Sequence, residues 1–389
     1  MKTALLFLLI SLGFAVLSFG QNTYVPDDNF EQALIDLGYD DVMDNYVLTA
    51  NINTVTFLQV PNKNISDLTG IEDFVGLTYL NCSENQLTSL DVSANLALTT
   101  LWCYYNQLTS LDVSNNSALE NLECQLNLIS NLEISGNTNL TKLICFNNKL
   151  TSLNVTALVG LTKLQCHGNQ LTSLDITNNS ALTHLMCFEN NLTSLDVSNN
   201  TLLTLLYCDF NQINNLNIEN NVLLTHLMCQ NNQLTELNLT NNIALKYVNC
   251  DYNQLTNLDV TKNSMLISLS VLKNQFSSLD LSMNTELENL TLAENQLTSI
   301  DLSKNMALHY LGIHENQLTT LDLSKNIALI VLLCYNNQLT SLNVKNGNNT
   351  LITEFRLNNN PNLTCIQVDD VAYSAANWTY IDAQMYFSE

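Results

Sequence analysis

The chain has 389 residues, which is long enough to bury a large core without disulfide or metal support. Its 12 basic and 36 acidic residues give a net charge of −24, which argues against binding to nucleic acid or to an anionic membrane surface. Ten glycines and three prolines are too few for a linker-rich or disordered protein of this length.

The N-terminus has the pattern of a secretory signal peptide. Lys2 precedes two apolar runs, over residues 4–10 and 12–17, and small residues follow them. We therefore predict a signal peptide over residues 1–20, cleaved before Gln21. No later stretch has 18 or more consecutive apolar residues, so no membrane-spanning helix is predicted. The mature chain is expected to be secreted or held at the cell surface.

Residues 21–54 are predicted to form an N-terminal cap with a short helix. Asp28 is followed three residues later by Glu31, which is the spacing of a capping box, and Gly38 is placed to end the helix. Phe30, Leu34 and Leu37 share one face of that helix.

A 21-residue period then runs through most of the chain. Nine cysteines recur at this step from Cys82 to Cys250, apolar residues continue the column, and Cys334 returns to it. Asparagine holds a second column from Asn85 to Asn337. Such internal repetition indicates a solenoid over residues 55–360. The first members of the two structural ladders are Cys82, Cys103, Cys124, Asn85, Asn106 and Asn127.

The first half of each unit is predicted to be a strand. In LWCYY, Leu101 and Cys103 alternate with Trp102 and Tyr104, so one side faces the core and the other faces solvent. Stacked units place these strands in parallel, about 4.8 Å apart. The second half alternates again and predicts a short extended segment on the opposite, convex side. Leu158 stands where neighbouring units have Asn, so we expect a distorted turn there.

Residues 98–118 read LTTLWCYYNQLTSLDVSNNSA, and their first half has the form L-x-x-L-x-C-x-x-N-x-L. This pattern resembles leucine-rich repeat proteins. The preceding unit, 55–76, is similar to internalin-type repeats, and the whole chain resembles secreted repeat proteins of the Bacteroidetes group. The resemblance implies a gently curved, right-handed superhelix with a parallel sheet on its concave side, mostly β in content. It also implies protein–protein interaction as the default role.

The regular cysteines leave three interpretations open: free core thiols, disulfides or a metal site. Val271, Leu292 and Ile313 occupy the same column, which favours cysteine as a small buried apolar residue. The rung spacing of about 4.8 Å exceeds the roughly 3.8 Å between β-carbons that a disulfide prefers. No C-x-x-C spacing occurs, so no metal and no cofactor are predicted.

A column of carboxylates lies on the predicted convex side. It contains Asp91, Asp112, Asp175, Asp196, Asp259, Asp280, Asp301 and Asp322, with Asn or Glu in other repeats. Two interpretations remain: calcium bridging of stacked carboxylates, and a solvated ridge whose side chains bond the local backbone.

Aromatic residues recur at the outward positions of the strands. The predicted ligand-binding residues are Tyr79, Trp102, Tyr104, Tyr105, Phe146, Phe188, Tyr207, Phe210, Tyr247, Tyr252, Tyr310 and Tyr335. His184 and His226 also occupy outward positions, but they are two repeats apart and are not predicted to form a metal site. A contiguous exposed aromatic surface is typical of a binding site, although aromatic residues also favour sheets and stack between strands.

Residues 361–389 leave the period and are predicted to form a C-terminal cap, with a helix near 369–377 and a closing strand. No catalytic motif and no insertion interrupts 77–345, so no enzyme is predicted. We expect an exported binding or adhesion module for a protein or glycan partner. The alternative is an acidic surface spacer, stiffened by calcium.

Overall fold

The computed structural model describes residues 20–389. The predicted signal peptide therefore lies, except for Gly20, outside the described residues. Most of the described chain winds into a solenoid whose successive turns each contribute one three-residue strand to a parallel sheet of fifteen strands.

In chain order, the strands of this large sheet are β3 (Phe57–Gln59), β4 (Tyr79–Asn81), β5 (Thr100–Trp102), β7 (Asn121–Glu123), β9 (Lys142–Ile144), β10 (Lys163–Gln165), β11 (His184–Met186), β12 (Leu205–Tyr207), β13 (His226–Met228), β14 (Tyr247–Asn249), β15 (Ser268–Ser270), β16 (Asn289–Thr291), β17 (Tyr310–Gly312), β19 (Val331–Leu333) and β21 (Glu354–Arg356). The other strands are β1 (Asn22–Tyr24), β2 (Tyr46–Leu48), β6 (Ser110–Asp112), β8 (Asn131–Glu133), β18 (Thr320–Asp322), β20 (Ser341–Asn343), β22 (Cys365–Gln367) and β23 (Tyr386–Ser388).

The strands stack in strict register. Leu101 pairs with Leu80 on one side and Leu122 on the other, and all three are fully buried. A side chain therefore has the residues 21 positions before and after it as neighbours, and the sequence period becomes a column in space. The predicted fold class, a mostly β leucine-rich repeat solenoid with a parallel sheet, is confirmed.

The extended segment predicted for the second half of each unit is a strand in some units, at β6, β8, β18 and β20. Leu108, Leu111 and Val113 are all buried. Hydrogen-bonded pairing on this side is local: β6 pairs with β8, and β18, β20, β22 and β23 form a four-stranded sheet.

The expected distortion at Leu158 is wrong. The main-chain N–H of Leu158 donates to Val155 O at 3.0 Å, and the N–H of Leu161 donates to Leu158 O at 3.0 Å. The turn at Asn116 has the same two bonds, at 2.9 and 3.0 Å. The main chain closes this turn by itself, so an apolar side chain is accommodated.

The cysteines form a column of unpaired thiols. All eleven are free, and only Cys365, outside the repeat, is partly exposed. Burial raises the pKa of Cys82 to about 12 and raises that of Cys103 well above its ordinary value. These thiols are protonated at neutral pH and pack as small apolar groups.

Two asparagine ladders hold the turns together. In the strand ladder, which is the predicted column from Asn85 to Asn337, each amide contacts two successive turns. Asn106 Nδ2 donates to Cys103 O and to Cys82 O, both at 3.1 Å, and its Oδ1 accepts from the N–H of Leu87 at 3.0 Å. One side chain therefore joins its own turn to the preceding turn.

A second column of asparagines, which we call the return ladder, closes the other side of the coil. Its members are Asn95, Asn116, Asn137, Asn179, Asn200, Asn221, Asn242, Asn263, Asn284, Asn305 and Asn326. Asn116 Nδ2 donates to Val92 O at 2.8 Å and to Asn95 O at 3.0 Å. Its Oδ1 accepts no hydrogen bond from the described residues.

Between residue 20 and the first repeat, the structure has two helices: α1 (Asp28–Asp36) and α2 (Thr49–Ile52). The N-cap of α1 is Asp27, not Asp28, because the Asp27 carboxylate accepts from the N–H groups of Asn29 and Phe30. Glu31 accepts from the N–H of Asp44 at 2.8 Å, so the predicted capping box is wrong.

Gly38 follows the end of α1 with φ 79°, as the helix stop required. Phe30 and Leu34 are buried as predicted, but Leu37 is 46% exposed. The assignment of residues 21–54 as a cap stays a prediction.

After the last repeat the chain forms α3 (Val371–Asn377) and the closing strand β23, in agreement with the predicted helix and strand. Trp378 is buried and its ring stacks on Phe355, with the ring centroids 4.2 Å apart. The boundary at residue 361 and the role of 361–389 as a cap stay predictions.

Candidate functional site: the outward face of the large sheet

The sheet face consists of the outward side chains of the fifteen-stranded sheet and of the second and third residues after each strand. All twelve aromatic residues predicted from the sequence lie on it. Those within or directly beside the strands, such as Trp102 and Tyr207, are half-buried, whereas Tyr105, Phe210 and Tyr252 are 61%, 49% and 41% exposed. Their role in binding stays a prediction.

The rings form short stacks separated by polar stretches. At one end Phe57 stacks on Tyr79 at 4.4 Å between ring centroids, and Tyr79 packs edge-on against Trp102 at 5.4 Å. Phe57 was missed because its unit is 22 residues long, although it pairs directly with Tyr79.

Near the middle of the sheet face, His167 lies between Phe146 and Phe188, with centroid distances of 4.4 and 4.0 Å. Burial there lowers the pKa of His167 to about 4, so this imidazole is neutral and part of the stack at neutral pH. His167 was not predicted, yet it stands 21 residues after Phe146, in the same column. His226 with Tyr247 and His314 with Tyr335 make two shorter stacks, at 4.7 and 4.3 Å.

Three exposed aromatic residues of the sheet face have a left-handed backbone. Tyr105, Phe210 and Tyr252 have φ of 56°, 49° and 52°, and the third residue after nearly every strand shares this conformation. Glycine adopts it at no steric cost, but glycine occupies this position only at Gly168 among the regular repeats. The other repeats accept the strain and project a side chain outward.

Charged side chains on the sheet face are partly paired. Lys142 Nζ lies 2.6 Å from Glu123 Oε1, and Lys273 Nζ lies 3.7 Å from Glu294 and 5.2 Å from the ring centroid of Tyr252.

Two carboxylates on the sheet face, Asp209 and Asp251, were not singled out from the sequence. Asp209 is only 7% exposed. Desolvation raises the pKa of Asp209 to about 6, and the charge of Glu189 adds to this rise. Desolvation also raises the pKa of Asp251, although its hydrogen bonds oppose the rise.

The Asp column on the opposite side is engaged locally. Asp112 Oδ1 accepts from the N–H of Ser114 at 2.9 Å, and Asn154 makes the same bond to Thr156 at 3.1 Å. Hydrogen bonds from Ser114 lower the pKa of Asp112. This favours the interpretation of backbone bonding. No group of three or more His, Cys, Asp or Glu in residues 20–389 is arranged to hold a metal ion.

A second exposed apolar surface was missed by sequence reasoning. It follows the return ladder along one edge of the coil, where Leu96, Ile243 and Met306 are 61%, 58% and 55% exposed. We call this surface the return edge. The signal was available, because the residue after the ladder asparagine is apolar in several repeats.

Stacked units with inward leucines, a parallel sheet and asparagine ladders define a leucine-rich repeat protein with the architecture of a binding module. No protein-family model matches the chain. The curated Internalin J of Listeria monocytogenes serotype 4b (strain F2365) is 38% identical over 74 residues, which are 19% of this chain and 8% of that protein. The matched segment is thus a small part of the relative's length.

Solved structures match over far more of the chain. The functional domain of InlJ from Listeria monocytogenes, described as including a cysteine ladder, is 34% identical with a TM-score of 0.77, covering 90% of this chain and 82% of that domain. The chain belongs to the internalin-like leucine-rich repeat proteins. The internalin InlF from Listeria monocytogenes str. 4b F2365 is 21% identical with a TM-score of 0.65, covering 94% and 96%, and shows the fold alone.

Proposed function

We propose that this protein is an exported, non-catalytic module that binds a protein partner through its sheet face. The observation that carries the proposal is the set of exposed aromatic residues at strained positions. Tyr105, Phe210 and Tyr252 occupy a left-handed conformation that glycine would adopt more easily. A large aromatic side chain that is kept on a rigid surface despite this backbone strain indicates a role in recognition and not in folding.

The rest of the sheet face supports this proposal. Its strands are rigidly spaced by the asparagine ladders, so a partner would meet preorganised groups and little ordering entropy would be lost on binding. Aromatic stacks alternate with charged and amide side chains, which is the composition of a protein interface. A glycan partner also fits aromatic surfaces and is the competing outcome of the test.

Export and a location outside the cell belong to the proposal as well. They are supported by the signal-peptide pattern over residues 1–20. Among residues 20–389, no helix has the length and apolar character needed to cross a bilayer.

The test uses two triple variants of the protein on arrays of surface proteins and glycans. The first, Tyr105→Ala with Phe210→Ala and Tyr252→Ala, removes the exposed rings of the sheet face. The second, Leu96→Ala with Ile243→Ala and Met306→Ala, removes side chains of similar exposure from the return edge. We expect the first variant to lose at least tenfold in affinity, about 1.4 kcal/mol, and the second to bind unchanged.

Thermal melting checks that both variants stay folded. Loss of binding in the return-edge variant alone would move the site to that edge. Binding unchanged in both variants would contradict a role for either surface.

The alternative of a calcium-stiffened spacer makes a different prediction. Calorimetric titration would then show bound calcium and a rise in melting temperature. The Asp112–Ser114 type of bond, repeated along the column, offers each carboxylate a local donor and disfavours this alternative.

A further inference from the structure

The carboxylate of Asp209, in the middle of the sheet face, accepts no hydrogen bond from any other described residue. The residue as a whole is only 7% exposed. Its carboxylate accepts from its own main-chain N–H, and it belongs to none of the ion pairs formed by the described residues. A nearly buried carboxylate without a partner is costly to keep in a fold.

The equivalent carboxylate two repeats further on shows that the fold can satisfy this position. Asp251 Oδ1 accepts from Ser270 Oγ and from the N–H of Leu272, both at 2.6 Å. The residue of the next strand that corresponds to Ser270 is Met228 in the case of Asp209. A thioether donates no hydrogen bond, so Asp209 lacks the hydroxyl partner that Ser270 gives to Asp251.

The surroundings of Asp209 combine negative charge with an aromatic ring. The stack of Phe146, His167 and Phe188 ends at Phe188, and Asp209 occupies the next place in that column. Glu189 lies beside Asp209, with its main-chain N–H donating to Asp209 O at 3.1 Å. Tyr207 precedes Asp209 on the same side of the strand.

We propose that Asp209, Glu189 and the free end of the Phe188 stack form a subsite for an arginine side chain of the protein partner. A guanidinium is planar, so it can lie on Phe188 as the next member of the stack while its N–H groups donate to the two carboxylates. A lysine ammonium supplies the charge but not the planar stacking group. This inference rests on the proposed function and names the chemistry of the partner at one point of the sheet face.

Titratable groups around the subsite contribute no opposing cation. Tyr207 and the buried thiols Cys187, Cys208 and Cys229 are neutral at pH 7, because the pKa of each is raised by burial. The arginine would therefore neutralise a carboxylate that no group of the described residues neutralises.

The experiment titrates Nα-acetyl-arginine amide into the protein labelled with ¹³C at the methionine methyl groups. The Met228 methyl, assigned with Met228→Leu, reports binding from the strand next to Asp209. The neutral isostere Nα-acetyl-citrulline amide and the lysine analogue are titrated in parallel. We expect a saturable shift with the arginine amide, a weaker one with the lysine amide and none with the citrulline amide.

Three variants localise the effect. Asp209→Asn should lower the affinity for the arginine amide at least tenfold. Asp251→Asn makes the same change in net charge and should change that affinity less than twofold. Met228→Ser gives Asp209 a hydroxyl donor like the one that Asp251 has in Ser270. Because this donor competes for the carboxylate, the affinity for the arginine amide should fall about threefold, measured from the Met186 methyl group.

An equal loss of affinity in Asp209→Asn and Asp251→Asn would mean that the arginine amide is attracted only by the net negative charge of the protein, and would overturn the subsite. Equal binding of arginine and citrulline amides, or no binding of either, would overturn it too. A partner found on the arrays could bind Asp209→Asn normally and yet fail to bind the Tyr105, Phe210 and Tyr252 triple variant. This result would support the proposed function and contradict the arginine subsite. A partner insensitive to all of these changes would overturn both.

Discussion

At the scale of single residues, the two asparagine ladders differ in what they satisfy. In the strand ladder, Asn190 Nδ2 donates to Cys166 O and Cys187 O, both at 3.1 Å, while its Oδ1 accepts from the N–H of Leu171 at 2.9 Å. In the return ladder, Asn200 donates to two carbonyls but its Oδ1 accepts nothing from the described residues. The strand ladder therefore satisfies more buried backbone groups per side chain.

This difference predicts unequal costs for the same substitution. Asn190→Leu leaves a buried N–H and several carbonyls unpaired, so we expect it to lower the free energy of unfolding by about 3 kcal/mol. Asn200→Leu copies the natural Leu158, whose turn closes through its own main chain, and should cost about 1 kcal/mol or less. Urea unfolding of the two variants measures the difference. Equal losses would show that the ladders are equivalent.

The raised pKa of Asp209 predicts a pH-dependent stability. A carboxyl whose pKa is about 6 in the folded chain and 3.8 in the unfolded chain binds protons more tightly when folded, so folding stability falls as pH rises from about 4 to 6. Asp209→Asn removes this penalty. With solvent screening on the open side, we expect the variant to be more stable by about 1–2 kcal/mol at pH 7.5.

The gain should shrink as the pH falls and approach zero below about pH 3, where the carboxyl is protonated in both states. Melting temperatures of the unchanged protein and of Asp209→Asn across this pH range test it. A variant less stable at pH 7.5 would mean that Asp209 has a stabilising partner in the folded protein.

At the scale of elements, the turn after each strand determines which side chains project from the sheet face into solvent. The strand itself points only its first and third residues outward, and in most strands these are half-buried by their neighbours. The left-handed residue that follows breaks the extended path and lifts its side chain, as the 61% exposure of Tyr105 shows. In nearly every repeat, this position has a strained, left-handed backbone.

Replacing one of these residues with glycine should separate stability from binding. We expect Phe210→Gly to raise the free energy of unfolding by about 0.5–1 kcal/mol, because glycine relieves the left-handed strain and half of the ring is already in solvent. The same variant should weaken partner binding. Differential scanning calorimetry gives the stability, and a clear loss of stability would mean that the ring is needed for packing.

At the scale of the whole molecule, each turn contacts mainly the turns before and after it. Strand pairing in the large sheet links successive units throughout, from β3 to β21. Stability in such an array is close to a sum over neighbouring interfaces, so damage at one end spreads only a short distance. The last interface depends on Trp378, which is 3% exposed, stacks on Phe355 and donates its indole N–H to Ile352 O at 3.4 Å.

Trp378→Ala should therefore loosen the C-terminal end alone. We expect a local cost of about 3–5 kcal/mol, seen as faster amide exchange in β21 to β23 with unchanged exchange in the central repeats. Tyr386→Ala, which removes a 58% exposed ring from the same end, serves as the control and should leave exchange unchanged. Faster exchange throughout the solenoid would indicate a single cooperative unit.

Much of this architecture follows from the sequence alone, for a simple physical reason. A column that repeats every 21 residues can keep the same environment only if the units stack in register, so the buried Leu101 and Cys103, the outward Trp102 and the asparagine ladder follow directly from the period. The columns also place the aromatic residues on one face. The one-residue shift of the α1 N-cap to Asp27 could not be read, because two adjacent aspartates offer the same capping group.

Only the tertiary structure decided which side chains of a column have hydrogen-bond partners. Asp209 and Asp251 look alike in the sequence, yet Ser270 and the N–H of Leu272 bond one of them, while the other has Met228 in the place of Ser270 and accepts no hydrogen bond from another described residue. That outcome depends on residues 19 or more positions away, brought to hydrogen-bond distance by the stacking. Likewise, His167 became part of a ring stack only because the repeats before and after it placed Phe146 and Phe188 on its two faces.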